Sequence, residues 1–317
     1  MFVAHPYRSH TMPGALTGLI PACHTPFDRG GNLELSIVAR QAELFRESGM
    51  SAVFVAGTTG EWSSMTLGER MALCDRWTET AGGDLKVAVH VGHNSQAEAV
   101  AMAAHARESG AAAVAAVAPS YFKPASVADL VEFLIPIAAA ADPLPFYYYE
   151  IPGMTGVRLP TSQILHEARF RIPTLRGLKY SFYDMVELQE CVNGDGGVFD
   201  VLFGQDEFLL AGLSMGARGA VGCTYNFACR HYQRLLKSFA AGEVDAARAR
   251  QFQAARLVQI LGKYGFMAAA KAVMGLIGVD CGPVRPPLRN LSSEELSAMT
   301  AELERLEVFD RPIRRPE

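Results

Sequence analysis

Short, continuous apolar runs alternate along this chain with longer stretches in which apolar residues recur every three or four positions. The first pattern predicts strands buried on both faces, the second amphipathic helices. Runs of the first kind fall at residues 17–24, 52–56, 86–91, 113–117, 145–149, 175–179, 199–203 and 219–221, so eight strands are expected. Between them helical periodicity covers 35–48, 67–80, 97–109, 127–140 and 182–192. Gly49, Gly110 and Gly216 stand where a helix has to stop shortly before the next strand. Repeated βα units with fully apolar strands favour an α/β fold closed into a (β/α)8 TIM barrel over an open doubly wound sheet. No G-x-G-x-x-G opens a helix near the first strand, which weakens a dinucleotide-binding reading further. Beyond the last strand, 230–241, 244–261 and 266–277 read as helices, followed by the run CGPVRPPL and a final helix at 293–306. No linker-like composition interrupts the chain. A single domain over 1–317 is expected, with the barrel at 16–225 and a C-terminal helical extension at 226–317.

Composition narrows the function. Half of the 317 residues are hydrophobic and 20% are charged, which fits a soluble enzyme with a large core. A net charge of -4 gives no electrostatic footprint for nucleic acid. The most apolar stretch, Ala111 to Ala118, is too short to cross a bilayer and runs into Pro119. The first dozen residues hold no apolar run long enough for a signal peptide, so a cytoplasmic protein without membrane contact is expected. Six scattered cysteines, with no C-x-x-C pair, read as reduced and mostly buried thiols. His90 and His93 straddle a glycine at a strand end, where structural roles are favoured over ligation; no metal is expected.

Chemistry in such a barrel sits where strands end and βα loops begin. Four groups of polar residues fall there. Lys179 closes the sixth run, and lysine is scarce in a chain with only six of them. A buried strand end makes an ammonium costly to desolvate and favours an amine able to attack a ketone. A lysine reaching outward to solvent fits the position alone equally well. Tyr149 ends the run Phe146-Tyr147-Tyr148-Tyr149, with Tyr147 on its face and Tyr148 on the other. A phenol there suits proton relay, while packing within the barrel suits at least one of the three. Gly57-Thr58-Thr59-Gly60-Glu61 follows the second run: a tight turn whose amides and hydroxyls suit a carboxylate, or an ordinary Gly/Thr turn. Gly204-Gln205-Asp206-Glu207 and Gly222-Cys223-Thr224 follow the last two runs. Their acids suit a polyhydroxylated ligand, or the capping of helix N-termini.

In this order the four groups resemble the dihydrodipicolinate synthase and N-acetylneuraminate lyase superfamily, from about residue 16 to about 288. GTTGE is similar to the family's pyruvate-carboxylate loop, Tyr149 falls on its catalytic tyrosine and Lys179 on its Schiff-base lysine. The lyase branch is the better match through His90-Val91-Gly92 with Ser95 and Glu98, LPFYYYEIPGMTGV, GLKYS, LFGQDE and GAVGCTYN. Where the synthase branch carries an arginine after its Y-x-x-P-x element, this chain has Met154.

The resemblance implies a class I aldolase that cleaves N-acetylneuraminate reversibly to pyruvate and N-acetylmannosamine through an imine on Lys179. A synthase-like enzyme or a 2-keto-3-deoxy sugar acid aldolase using the same imine is the alternative. It also implies that Thr58 and Thr59 hold the carboxylate and Tyr149 relays the proton. Ser181, Gly204, Asp206, Glu207 and Cys223 would bind the rest of the substrate. Neither cofactor nor metal is implied. A homotetramer is, with Tyr121 approaching a neighbouring subunit's site. Three positions depart from the lyase pattern: Ser181 for threonine, Cys223 for serine, and Glu150 for asparagine or histidine. The first keeps the hydroxyl; the last two bear on which sugar acid is accepted rather than on the imine.

Overall fold

The computed structural model of the chain describes residues 16–314, so the ends of the expected domain, residues 1–15 and 315–317, lie outside the described residues. Eight strands form: β1 (Gly18–Pro21), β2 (Ala52–Val55), β3 (Lys86–His90), β4 (Ala113–Val117), β5 (Phe146–Glu150), β6 (Leu175–Tyr180), β7 (Asp200–Phe203) and β8 (Gly219–Gly222). All pair in parallel in the order β1-β8-β7-β6-β5-β4-β3-β2. A parallel bridge between Ala22 and Phe54, with the Cys23 amide donating to the Phe54 carbonyl at 2.9 Å, joins the two ends. The fold is a (β/α)8 barrel, as the alternation of patterns predicts.

Each strand is followed by helix: α1 (Ile37–Glu47), α2 (Leu67–Ala81), α3 (Gln96–Glu108), α4 (Val127–Ala140), the single turn α5 (Pro152–Thr155) with α6 (Thr161–Ala168), α7 (Met185–Asn193), α8 (Leu209–Ser214) and α9 (Cys229–Ala240). Their starts follow from capping chemistry. Thr66 and Glu69 form a reciprocal capping box on α2, and Asp184 accepts from two amides of α7. That cap explains why α7 begins at Met185, three residues later than periodicity alone suggests. Helices α6 and α8 are eight and six residues long, too short for an amphipathic repeat to declare itself. Gly49, Gly110 and Gly216 all take positive φ at the expected helix ends. Beyond α9 lie α10 (Val244–Lys263), α11 (Phe266–Leu276) and α12 (Ser293–Leu303).

Two cores result from strand alternation. An inner one, including Ile20, Phe54, Val117, Tyr147, Tyr149 and Leu202, fills the barrel. An outer one, including Tyr148, Leu178 and Tyr180, lies between strands and helices. Tyr147 plugs the barrel and is fully bonded, donating to Asp200 Oδ2 at 3.2 Å and accepting from the Leu16 amide at 3.1 Å. Among the described residues no helix is long and apolar enough to cross a membrane, and all six cysteines are free and buried.

Candidate active site

The C-terminal ends of the strands open into a cavity of about 650 Å³. Thr58, Thr59, Tyr149, Lys179, Ser181, Gly204, Asp206, Glu207 and Cys223 all line it. Residues from five different strand ends, far apart in sequence, therefore meet where the barrel geometry sends them.

Lys179 faces the cavity because its neighbours Leu178 and Tyr180 pack outward against the helices. Its register partner across β5 is Tyr149. Its Nζ lies 4.0 Å from the centroid of the Tyr149 ring and 4.3 Å from that of Phe54. The residue is 4% exposed, and no carboxylate pairs with it among the described residues. The other buried lysine, Lys271, is quite different. Its Nζ sits 3.0 Å from Glu61 Oε1 and donates to the Pro283 carbonyl at 2.7 Å. One buried lysine is committed to an ion pair; the other faces the cavity without one.

The Tyr149 hydroxyl shares a hydrogen bond of 3.2 Å with Thr58 Oγ1. Its ring is braced edge-on by Phe54 at 5.7 Å and His90 at 5.8 Å. Burial drives the His90 pKa well below its ordinary value, so the imidazole is neutral. The Ala56 carbonyl, 2.9 Å from His90 Nδ1, can only accept, which assigns the proton to Nδ1. This bond anchors the first residue before GTTGE. Ala56 and Glu61, on either side of the Gly57–Gly60 turn, have φ of 54° and 55°. Left-handed backbone at a non-glycine costs about 1 kcal/mol per residue, so both ends of the loop need restraint.

The opposite wall comes from β7, β8 and their loops. Burial raises the Asp206 carboxyl to about 6. Its Oδ2 accepts from the Thr224 amide at 2.7 Å and from the Thr224 hydroxyl at 2.6 Å. The acid therefore lines the cavity and caps the turn Thr224–Asn226 at once. Glu207 accepts from the Tyr183 hydroxyl at 2.9 Å. Gly204 has no room for a side chain, because a Cβ there would collide with the Ser181 hydroxyl. Burial, with the Asp206 charge added, pushes the Cys223 thiol up, and its Sγ lies 3.9 Å from His24 Nε2. Burial and the Lys271 charge hold His24 down at about 3, so this neighbour is neutral.

Sequence reasoning missed the roof. Val258 and Gly262 of α10, with Phe266 and Met267 of α11, line the same cavity, as do Tyr183 and Arg158. The amphipathic pattern of α10 and α11 reports that they pack, but not against which part of the barrel. Tyr121 is apart from the rest: it is 78% exposed and does not line this cavity. His93 lies beside Trp62 with ring centroids 6.1 Å apart, and no cluster able to hold a metal ion occurs among the described residues.

Comparison with known proteins agrees with this fold. The model of the Dihydrodipicolinate synthetase family matches residues 15–306. An N-acetylneuraminate lyase of Gallus gallus is 40% identical over 294 residues, covering 91% of this chain and 96% of the relative. Among solved structures, the N-acetylneuraminate lyase of Proteus mirabilis superposes with a TM-score of 0.90 at 35% identity, covering 92% of this chain and 99% of that one. The sialic acid aldolase of Aliivibrio salmonicida gives a TM-score of 0.90 at 38% identity, covering 92% and 97%. With eight strands closed into a barrel and a family match spanning nearly its whole described length, this chain belongs to the dihydrodipicolinate synthetase family.

Proposed function

We propose that this protein is a class I aldolase that cleaves N-acetylneuraminate reversibly into pyruvate and N-acetylmannosamine, with Lys179 as nucleophile. One observation carries the reading. Lys179 is a buried amine without a carboxylate partner, 4.0 Å from the Tyr149 ring, in a cavity of about 650 Å³. In the open-chain substrate the Lys179 amine attacks the C2 ketone, and loss of water leaves a protonated imine. The Thr58 and Thr59 loop holds the C1 carboxylate and so fixes the carbonyl in front of the amine. Tyr149, acting through that carboxylate, takes the proton of the C4 hydroxyl as the C3–C4 bond breaks. The bonding pair moves into the imine, which becomes an enamine. Protonation at C3 and hydrolysis then release pyruvate and free Lys179. Ser181 helps position the C4 hydroxyl, while Asp206, Glu207, the Gly204 backbone and Cys223 bind the hydroxyl-bearing tail.

Relatives named for this activity, at 35–40% identity across most of both chains, support the choice of substrate. The alternative, a synthase-like or shorter 2-keto-3-deoxy acid aldolase, would use the same imine. The exposed Arg158, four residues after Met154 on the cavity rim, favours it by offering a cation to a second carboxylate. Pyruvate release from N-acetylneuraminate, compared with release from shorter keto-deoxy acids, separates the two.

The exposure of Tyr121, outside its own chain's cavity, supports a homotetramer in which it serves a neighbouring subunit. Six free thiols suit the reducing cytoplasm. The decisive experiment is reductive trapping. Borohydride with pyruvate should add one reduced pyruvyl group to Lys179, found by peptide mass spectrometry, and Lys179→Ala should remove it. A label on another lysine would sink the mechanism.

A further inference from the structure

The carboxylate loop ends in Glu61, which is buried and absent from the cavity lining. Both of its carboxylate oxygens are taken. Oε1 accepts from Lys271 Nζ at 3.0 Å, and Oε2 accepts from the Arg285 amide at 2.9 Å. The Lys271 and Glu61 side chains are each 1% exposed. Lys271 stands on α11, and Arg285 on the Pro-rich crossing that follows it. Their cationic groups share one aromatic neighbour, each 4.1 Å from the centroid of the Phe27 ring. Arg285 fastens the crossing further, through the Gly31 and Ser64 carbonyls at 2.8 Å each.

A buried ion pair is seldom a gain in stability over apolar residues of the same size, because desolvating both charges offsets their attraction. What it supplies is direction. Glu61 is left-handed, and its own amide donates to the Thr58 carbonyl at 3.0 Å. Any shift of Glu61 therefore passes straight to Thr58, whose hydroxyl is bonded to Tyr149.

We infer that the Glu61–Lys271 pair is a positioning clamp: it sets the Thr58–Thr59 turn for the substrate's carboxylate and makes α11 a working part of the site. The inference rests on the proposed role of that turn. Neither residue touches substrate. The clamp acts through backbone, so its loss weakens carboxylate binding more than it slows the bond-breaking step.

The test compares wild type with Glu61→Gln/Lys271→Met, in which both charges leave together and no uncompensated ion remains to unfold the chain. The double variant should melt close to wild type. Its KM for pyruvate in the condensation direction should rise about tenfold, with a smaller fall in kcat. Amide hydrogen exchange over residues 56–61 should quicken in it. Lys271→Arg, which keeps the cation, should bring KM back towards wild type. A double variant with wild-type KM, or with unchanged exchange over 56–61, overturns the clamp. Should the wild-type enzyme fail to trap pyruvate on Lys179, the proposed chemistry falls, while the exchange measurement still judges the clamp.

Discussion

Glu150 shows how one residue's surroundings set a property of the whole fold. It ends β5 with its side chain buried on the helix side of the barrel, so it departs from the lyase pattern without entering the cavity. Burial raises its carboxyl from an ordinary 4.5 to about 7; the Tyr148 hydroxyl pulls it down somewhat and the Glu187 charge pushes it up. Tyr180 and Cys191 feel its charge in turn. The folded state thus holds this proton more tightly than the unfolded chain does. Its stabilising contribution is complete below about pH 4.5 and is lost as pH rises through about 7. Glutamine keeps an acceptor for Tyr148 but never ionises. Glu150→Gln should therefore melt about 2 °C or more above wild type at pH 8 and nearly with it at pH 5. An equal offset at both pH values would show that Glu150 is not the titrating group. At this scale the sequence was most legible where strand periodicity sorted neighbours by face, as for Tyr147 and Tyr149 against Tyr148. For Lys179 position alone left inward and outward directions open, and the structure turns it into the cavity. It was silent on partners. Nothing in the string says that Glu61 meets Lys271, 210 positions away, or that Asp206 spends one oxygen on Thr224.

Strands were easier to read than what joins them. All eight runs predicted from apolar patterning are strands, because a strand buried on both faces has no other composition available to it. The turns at Trp62–Ser64, Asp206–Phe208 and Thr224–Asn226 were not foreseen: three residues of 3-10 helix carry no periodicity. Yet these turns lie in the very loops that carry the site. The packing between β6 and β7 is a feature only coordinates reveal. At Gly177, two residues before Lys179 on the same face, a Cβ would strike the backbone of Asp200, which cannot rotate away. Gly177→Ala should therefore lower stability by at least about 2 kcal/mol, read as a fall in the urea midpoint. Gly68→Ala is the control, since nothing lies within 4 Å of its added carbon and it sits exposed in α2. That change should be neutral or slightly stabilising. If the two variants unfold together, close approach of β6 and β7 does not govern the strand that bears Lys179.

For the molecule as a whole, the chain beyond the barrel does more than its sequence suggests: α10 and α11 supply both the cavity's roof and the lysine that restrains Glu61. The surface left over is informative in the same way. Tyr121 and Phe122 are 78% and 86% exposed at the end of β4, with their rings edge-on at 5.1 Å. Nor is this an unrestrained tip. Asn94 Oδ1 accepts from the Ser120 amide at 2.7 Å and the Tyr121 amide at 3.2 Å, so the loop is held ready. Two large aromatics fixed in solvent lose much by staying there, since each buries some 150–250 Å² when covered. The proposed tetramer covers them, and the chain should sediment at about four times its 34.3 kDa. Mixed subunits test whether Tyr121 works across that boundary. Tyr121→Ala should lower activity although its own cavity is intact, and Lys179→Ala should abolish activity although its Tyr121 is intact. Hybrids of the two would pair a competent Lys179 with a neighbour's Tyr121 and so regain activity that neither parent has. If reassembled hybrids stay at the average of the parents, Tyr121 serves no subunit but its own.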